Sequence, residues 1–151
     1  MKYSNIILSA GPINTNLMPV SANLSQGMVP INGKPVIAWI IDDLISKKLQ
    51  DINVVVNNLD THLIEFLERS YCNRIDLKIL KIANEDSIIN SLVYGLQQTS
   101  PTKSVRIILG DTLIHDSFEF DIDMVYIAEV NETKRWCIAK LDSDGYVADY
   151  V

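Results

Sequence analysis

A chain of 151 residues, 48% of them hydrophobic, with positive mean hydropathy, can bury one core, and predicts a single domain over residues 1–151. Lys and Arg number 13 against 19 Asp and Glu, and the net charge of −6 argues against binding a nucleic-acid backbone, though not against a loop of N–H groups that holds one nucleotide. Cys72 and Cys137 are too few for a disulfide framework and read as reduced, buried thiols. The absence of a signal-peptide layout and of any long apolar run predicts a cytoplasmic protein with no membrane partner.

Asn5 to Ser9 reads as a buried strand, and its end, Leu8-Ser9-Ala10-Gly11, opens a long loop. The loop reaches Lys34 and carries Gly11, Gly27 and Gly33, three prolines and several Asn. Structureless connections of that length are uncommon unless they serve a function. Neither a Walker-type Gly-Lys-Ser nor a Gly-x-Gly-x-x-Gly is present. Val36, Ile37, Ile40, Ile41, Leu44 and Ile45 then recur at helical spacing, with Pro35 suited to the first turn and Trp39 read as core.

Ile52 to Val56 is a β-branched run and predicts a second strand. Leu59, Leu63, Phe66 and Leu67 mark a second helical face with Asp60 or Thr61 as cap. Leu77 to Leu80 is a short third strand. Ile88, Ile89, Leu92, Val93 and Leu96 form a third helical face that ends before Pro101. Val105 to Leu109 closes the alternation, which predicts an α/β fold with a mostly parallel sheet and helices on both faces. Beyond Gly110, three further strands are expected at Met124 to Val130, Trp136 to Leu141 and Tyr146 to Val151. The last two are joined by a hairpin turn at Asp142-Ser143-Asp144-Gly145, which lacks the downstream ligands of a calcium loop. The chain stops in mid-strand at Asp149-Tyr150-Val151, which reads as the N-terminal part of a longer polypeptide.

Gly110-Asp111 follows an apolar strand, and a carboxylate at the carboxyl end of a parallel strand can hold Mg²⁺ against phosphate oxygens. Asp121-Ile122-Asp123 has the Asp-x-Asp form of a transferase metal motif. It stands in an acidic stretch with Asp116 and Glu119, where a solvated loop is the simpler reading. His62 and His115 have no partner at zinc-ligand spacing.

Taken together, these motifs resemble the nucleotidyltransferases that activate sugar phosphates. That family opens with a strand ending Leu-Ala-Ala-Gly and continues to Leu-x-Pro-Val-x-Gly-Lys-Pro before a helix. Here the strand ends Leu8-Ser9-Ala10-Gly11, and the second half reads Met28-Val29-Pro30-Ile31-Asn32-Gly33-Lys34-Pro35. Gly110-Asp111 is similar to the family's metal-binding Gly-Asp. Trp136-Cys137-Ile138-Ala139 to Asp144-Gly145-Tyr146-Val147 is similar to its next hairpin, and the chain stops where a Glu-Lys-Pro would follow. Asn90-Ser91-Leu92 resembles the phosphocholine-type branch more than the Gly-Thr-Ala of the sugar branch.

The resemblance implies a Rossmann-like three-layer α/β/α fold of the nucleotide-diphospho-sugar transferase type. It implies transfer of a nucleotidyl group from a nucleoside triphosphate to a sugar 1-phosphate or phosphocholine-like acceptor, with release of pyrophosphate, in polysaccharide biosynthesis. Leu8, Ser9, Ala10, Gly11 and Gly110 would hold the nucleotide and Asp111 would ligate Mg²⁺. The family's loop Arg and Lys fall on Asn16 and Gln26, the degenerate catalytic equivalents, so both cations are missing and Lys34 is the only one left in the loop. Losing one charge-stabilising donor costs about 10²–10³ in rate. Two alternatives therefore stand beside the enzyme: a catalytically inactive binding or regulatory module that keeps the fold, and a nucleotide-sugar-dependent glycosyltransferase. The base, the acceptor and the state of oligomerisation, a homo-oligomer included, do not follow from the sequence.

Overall fold

The computed structural model describes residues 3–11, 24–83, 87–114, 124–131, 134 and 137–151. Its elements run in the alternating order the sequence predicts. Strand β1 (Tyr3–Ser9) leads to a 3₁₀ turn (Gln26–Met28) and a two-residue hairpin of β2 (Pro30–Ile31) and β3 (Lys34–Pro35). Helix α1 (Val36–Ser46), strand β4 (Ile52–Asn57), helix α2 (Thr61–Ser70), strand β5 (Leu77–Ile82), helix α3 (Ile88–Gln97) and strand β6 (Ser104–Leu109) follow. Pro35 does not enter the first helical turn. It caps α1 and pairs with Pro30, because Asn32 and Gly33 adopt positive φ and fold the chain back on itself.

The four long strands form one sheet of order β5-β4-β1-β6, with every neighbouring pair parallel. Side chains alternate across β1. Ile7 faces a core made with α1, α2, Val54, Val56 and Ile108. Ile6 and Leu8 face the other way, into a second core with Val55 and the α3 side of the sheet. The protein is thus a three-layer α/β/α fold of Rossmann-like type. The chain steps from β1 through β4 to β5, then crosses back to place β6 on the far side of β1, which puts α3 on the face opposite α1 and α2. Asp60 caps α2 by accepting from Leu63 N, as expected. Polar residues at the amino ends of the strands are tied together: Asn5 Nδ2 donates to Asp51 O at 2.9 Å, Arg106 Nη1 to Asn5 Oδ1 at 2.6 Å, and Lys103 pairs with the buried Asp51.

The third helix buries only part of the face its apolar spacing predicts. Leu92 packs against the second core, and Ser91 and Gly95 are buried, whereas Ile88, Ile89, Val93 and Leu96 are exposed. Close docking is the reason: a Cβ at Gly95 would stand 2.9 Å from Ile6 Cγ2 and 3.2 Å from Val55 Cγ2, so only small residues fit between helix and sheet. Trp39 is likewise not core. It is 39% exposed on the outer side of α1, where its Nε1 donates to Ile31 O and Lys34 Nζ sits 4.2 Å from the ring. Both cysteines are free but exposed rather than buried. Desolvation, then the charge of Glu68, push the Cys72 thiol upward, away from a reactive thiolate.

The chain divides into two compact units, Met1–His115 and Asp116–Val151. In the second, β7 (Ala139–Leu141) and β8 (Val147–Tyr150) pair antiparallel. Asp142 spends its Oδ1 on the backbone N–H groups of Asp144 and Tyr146, and Gly145 has φ +84°, so this segment is the turn the sequence predicts. Met124 to Val130, expected as a strand, has no regular structure, and its residues are exposed. Among the described residues, no helix is long and apolar enough to cross a membrane.

Candidate functional site

Parallel strands present their carboxyl ends along one edge, and where the strand order reverses a crevice opens. In this sheet the reversal lies between β1 and β6. A cavity of about 350 Å³ occupies that place. Leu8 to Gly11 supply one wall, Leu109 to Asp111 the second, Gln26 and Gly27 the third, and Ser87, Ile88 and Ser91 at the start of α3 the fourth.

The walls meet through small residues. Gly110 N donates to Leu8 O at 2.8 Å, extending the β1–β6 ladder by one bond. A Cβ at Gly110 would lie 2.8 Å from Ser9 Cβ and 2.9 Å from Leu8 O, and one at Gly27 would lie 2.8 Å from Ser9 Oγ and 3.3 Å from Gly110 O. Glycine at both positions therefore lets the 3₁₀ turn sit directly on the ends of β1 and β6. Met28 N to Ser25 O and Val36 N to Val29 O hold that turn in place. Gln26 is thereby half-buried at the cavity wall.

Asp111 is exposed and its Oδ1 accepts from Thr112 Oγ1 at 3.0 Å, so its second oxygen is not bound to Thr112. Ser87 caps α3 by accepting from Ile89 N. Ser91 is 4% exposed and lines the cavity. Asp111 is the sole charged side chain among the described lining residues. Lys34 is absent from that lining and is paired with Asp42 instead.

The chemistry of the donors bears on Mg²⁺. Magnesium takes hard oxygen ligands, keeps several waters, and binds through one or two carboxylates together with substrate phosphates. An accessible carboxylate beside a cavity suits that role. Among the described residues no group of three or more His, Cys, Asp and Glu could hold an ion alone. Asp111 therefore fits a metal shared with a phosphate ligand, not a free-standing metal centre.

Of the residues singled out in the sequence, Leu8, Ser9, Ala10, Gly11, Gln26, Gly110 and Asp111 come together around this cavity. Asn16, His115, Asp116, Glu119, Asp121 and Asp123 lie outside the described residues, and His62 is exposed on α2. Gly27, Ser87, Ile88, Ser91 and Leu109 also line the cavity but were not site candidates. The small pair Ser91 and Gly95, four residues apart on α3, was the available signal for a close-docked face. It was masked by the stronger apolar spacing beside it.

The sequence model of the family described as Nucleotidyl transferase matches residues 4–143. The chain belongs to the Nucleotidyl transferase family. None of the curated proteins matches it. Solved structures share the family's fold with it, two of them as follows. The CTP:phosphocholine cytidylyltransferase LicC of Streptococcus pneumoniae is 22% identical over the whole of this chain, with a TM-score of 0.74. A Bacillus anthracis protein assigned as a glucose-1-phosphate thymidylyltransferase, solved in complex with a sucrose, is 18% identical over 72% of this chain, with a TM-score of 0.60. The chain spans 64% of the length of the first and 44% of the second.

Proposed function

We propose that this family member holds a nucleoside triphosphate between β1 and β6 and transfers its nucleotidyl group to a sugar 1-phosphate or phosphocholine-like acceptor. The observation that supports this reading is the cavity at the reversal of strand order, where the backbone of Leu8 to Gly11 faces Asp111. In the reaction an acceptor phosphate oxygen attacks the α-phosphorus. The bond from the α-phosphorus to the bridging oxygen breaks, and pyrophosphate leaves with that electron pair. Such chemistry rests on positioning and charge neutralisation.

The chain's own groups have distinct tasks in this scheme. Backbone N–H groups at Ser9 to Gly11 orient the phosphates, and the close contacts at Gly27 and Gly110 keep those strand ends rigid. Gln26 donates a neutral hydrogen bond from its amide where the family has a cation, and Asn16 takes the place of the loop Arg in the same way. Ser91, on the first turns of α3, lines the same cavity. Asp111 would hold Mg²⁺, which when bound would supply neutralisation of phosphate charge. The activity belongs in the cytoplasm, where its triphosphate substrate is made, and its product suits polysaccharide assembly.

Incubation with each common triphosphate, Mg²⁺ and a panel of sugar 1-phosphates and phosphocholine should release pyrophosphate for one pairing. Asp111→Asn should lower that rate by about 10² or more. An unchanged rate would remove Asp111 from the site. One feature favours a second reading, a non-catalytic relative that binds without turnover: there is no Lys or Arg between Lys2 and Lys34. Absence of pyrophosphate with every pairing, together with stabilisation by a nucleotide in thermal melts, would select it.

A further inference from the structure

The Asn32-Gly33 turn folds β2 and β3 back on each other, and it leaves Pro30 and Ile31 exposed beside Trp39 of α1. Trp39 is 39% exposed and Ile31 42%, and the two are tied together, since the indole Nε1 donates to Ile31 O at 3.0 Å. Single apolar side chains at a surface are ordinary, but a tryptophan grouped with an isoleucine and a proline makes a patch. The ring is also held in place: its N–H is spent on Ile31, and Lys34 Nζ stands 4.2 Å from its centroid. A fixed indole loses little conformational freedom on being covered, which suits it as an anchor at a protein interface. Lys34 is held in turn by Asp42, so one positive and one negative side chain stand at the edge of the apolar group.

We infer that this patch is the contact surface for a second copy of the chain, packed about a two-fold axis that passes beside Trp39. Charge selects that partner. The patch is complementary to itself: turned by a half-rotation, its Lys34–Asp42 pair meets another such pair head to tail, and the four charges alternate in sign around the axis. A strongly acidic or strongly basic partner would find one of the two charges against it, whereas an identical patch answers both. Bulk charge does not oppose the approach. The unit Met1–His115 has ten Lys and Arg against ten Asp and Glu, and the net charge of −6 arises from residues 116–151. Apolar contact between the two Trp39–Ile31 groups supplies affinity, and the alternating charges fix the register. Such pairing is independent of what the cavity holds.

Sedimentation velocity on the full chain at low salt, from about 1 to about 300 μM, tests this. Wild type should pass from monomer to dimer across that range, and Trp39→Ala and Ile31→Asp should each weaken the dimer at least about tenfold. Lys34→Glu makes the patch doubly acidic, and Asp42→Lys makes it doubly basic. Each of these two variants alone should stay monomeric, with circular dichroism showing that it is folded. An equal mixture of the two should form a heterodimer that salt weakens. Damage to the fold would act on each variant by itself, so recovery on mixing reports contact between copies. Wild type that remains monomeric throughout overturns the inference and leaves the patch to a partner of another kind. A dimer that Trp39→Ala and Ile31→Asp leave unchanged, or charge variants that do not associate on mixing, overturns it as well and moves self-association to another surface.

Discussion

Tyr71 shows how one side chain couples the core to pH. It is 3% exposed at the end of α2, and its hydroxyl donates to Ala38 O at 3.4 Å. Burial, then the charge of Asp42 and a hydrogen bond with it, push the phenol well above its ordinary value, against a smaller opposing effect of Arg74. An unfolded chain ionises this phenol from about pH 10, while the folded chain keeps it protonated to higher pH. The folded state then binds more protons than the unfolded one, so the stability is complete below about pH 10 and is lost as pH rises toward the folded value. Tyr71→Phe should cost about 1 kcal/mol at neutral pH, since it removes the long bond to Ala38 O together with the hydrogen bond to Asp42. In urea melts between about pH 9 and pH 11, the variant should lose less stability than wild type. An equal loss in both proteins would show that Tyr71 ionises as freely folded as unfolded.

At the scale of elements, α3 is the part whose placement the site depends on. Its apolar stripe is mostly exposed, and it docks instead through Ser91 and Gly95. Those small residues bring Ile88 and Ser91 to the cavity wall. Gly95→Ala sets two effects against each other. Helix propensity favours Ala by about 1 kcal/mol in a helix interior. Overpacking against the stiff, fully buried β-branched side chains of Ile6 and Val55 costs about 1–3 kcal/mol. The net expectation is a loss of about 1 kcal/mol in chemical denaturation, with weaker nucleotide binding as the helix lifts from the sheet. A variant more stable than wild type would show that α3 has room to spare.

At the scale of the molecule, the residues that line the cavity all fall between Leu8 and Asp111, inside the unit Met1–His115. That unit also contains the whole four-stranded parallel sheet and both apolar cores. A chain of residues 1–115 should therefore fold and retain nucleotide binding within about threefold of the full chain, because every described residue of the cavity lining is kept. Circular dichroism and calorimetry on the shortened chain check this. Loss of binding in a folded 1–115 protein would show that residues from Asp116 onward contribute to the site.

Much of this arrangement was legible beforehand, and for a local reason. Buried parallel strands are short apolar runs, and Asn5 to Ser9, Ile52 to Val56 and Val105 to Leu109 each appear within a residue or two of their place. The loop motif around Gly11 and the Gly110-Asp111 pair pointed to the cavity because strand ends of a parallel sheet share one edge. The expected strand at Met124 to Val130 shows the limit of that reasoning: an apolar run with no partner strand among the described residues does not by itself make a sheet.

What composition and pattern determine here is the succession of strands and helices, and the absence of cations from the first loop before Lys34, since both depend on residues near one another along the chain. Only the fold decided that β6 lies beside β1, that α3 turns its small residues inward, and that Ser91 and Gln26 face the same cavity as Asp111. Those outcomes depend on the hand of the crossovers and on contacts of a few ångströms between residues far apart in sequence, neither of which is written in any local run of side chains.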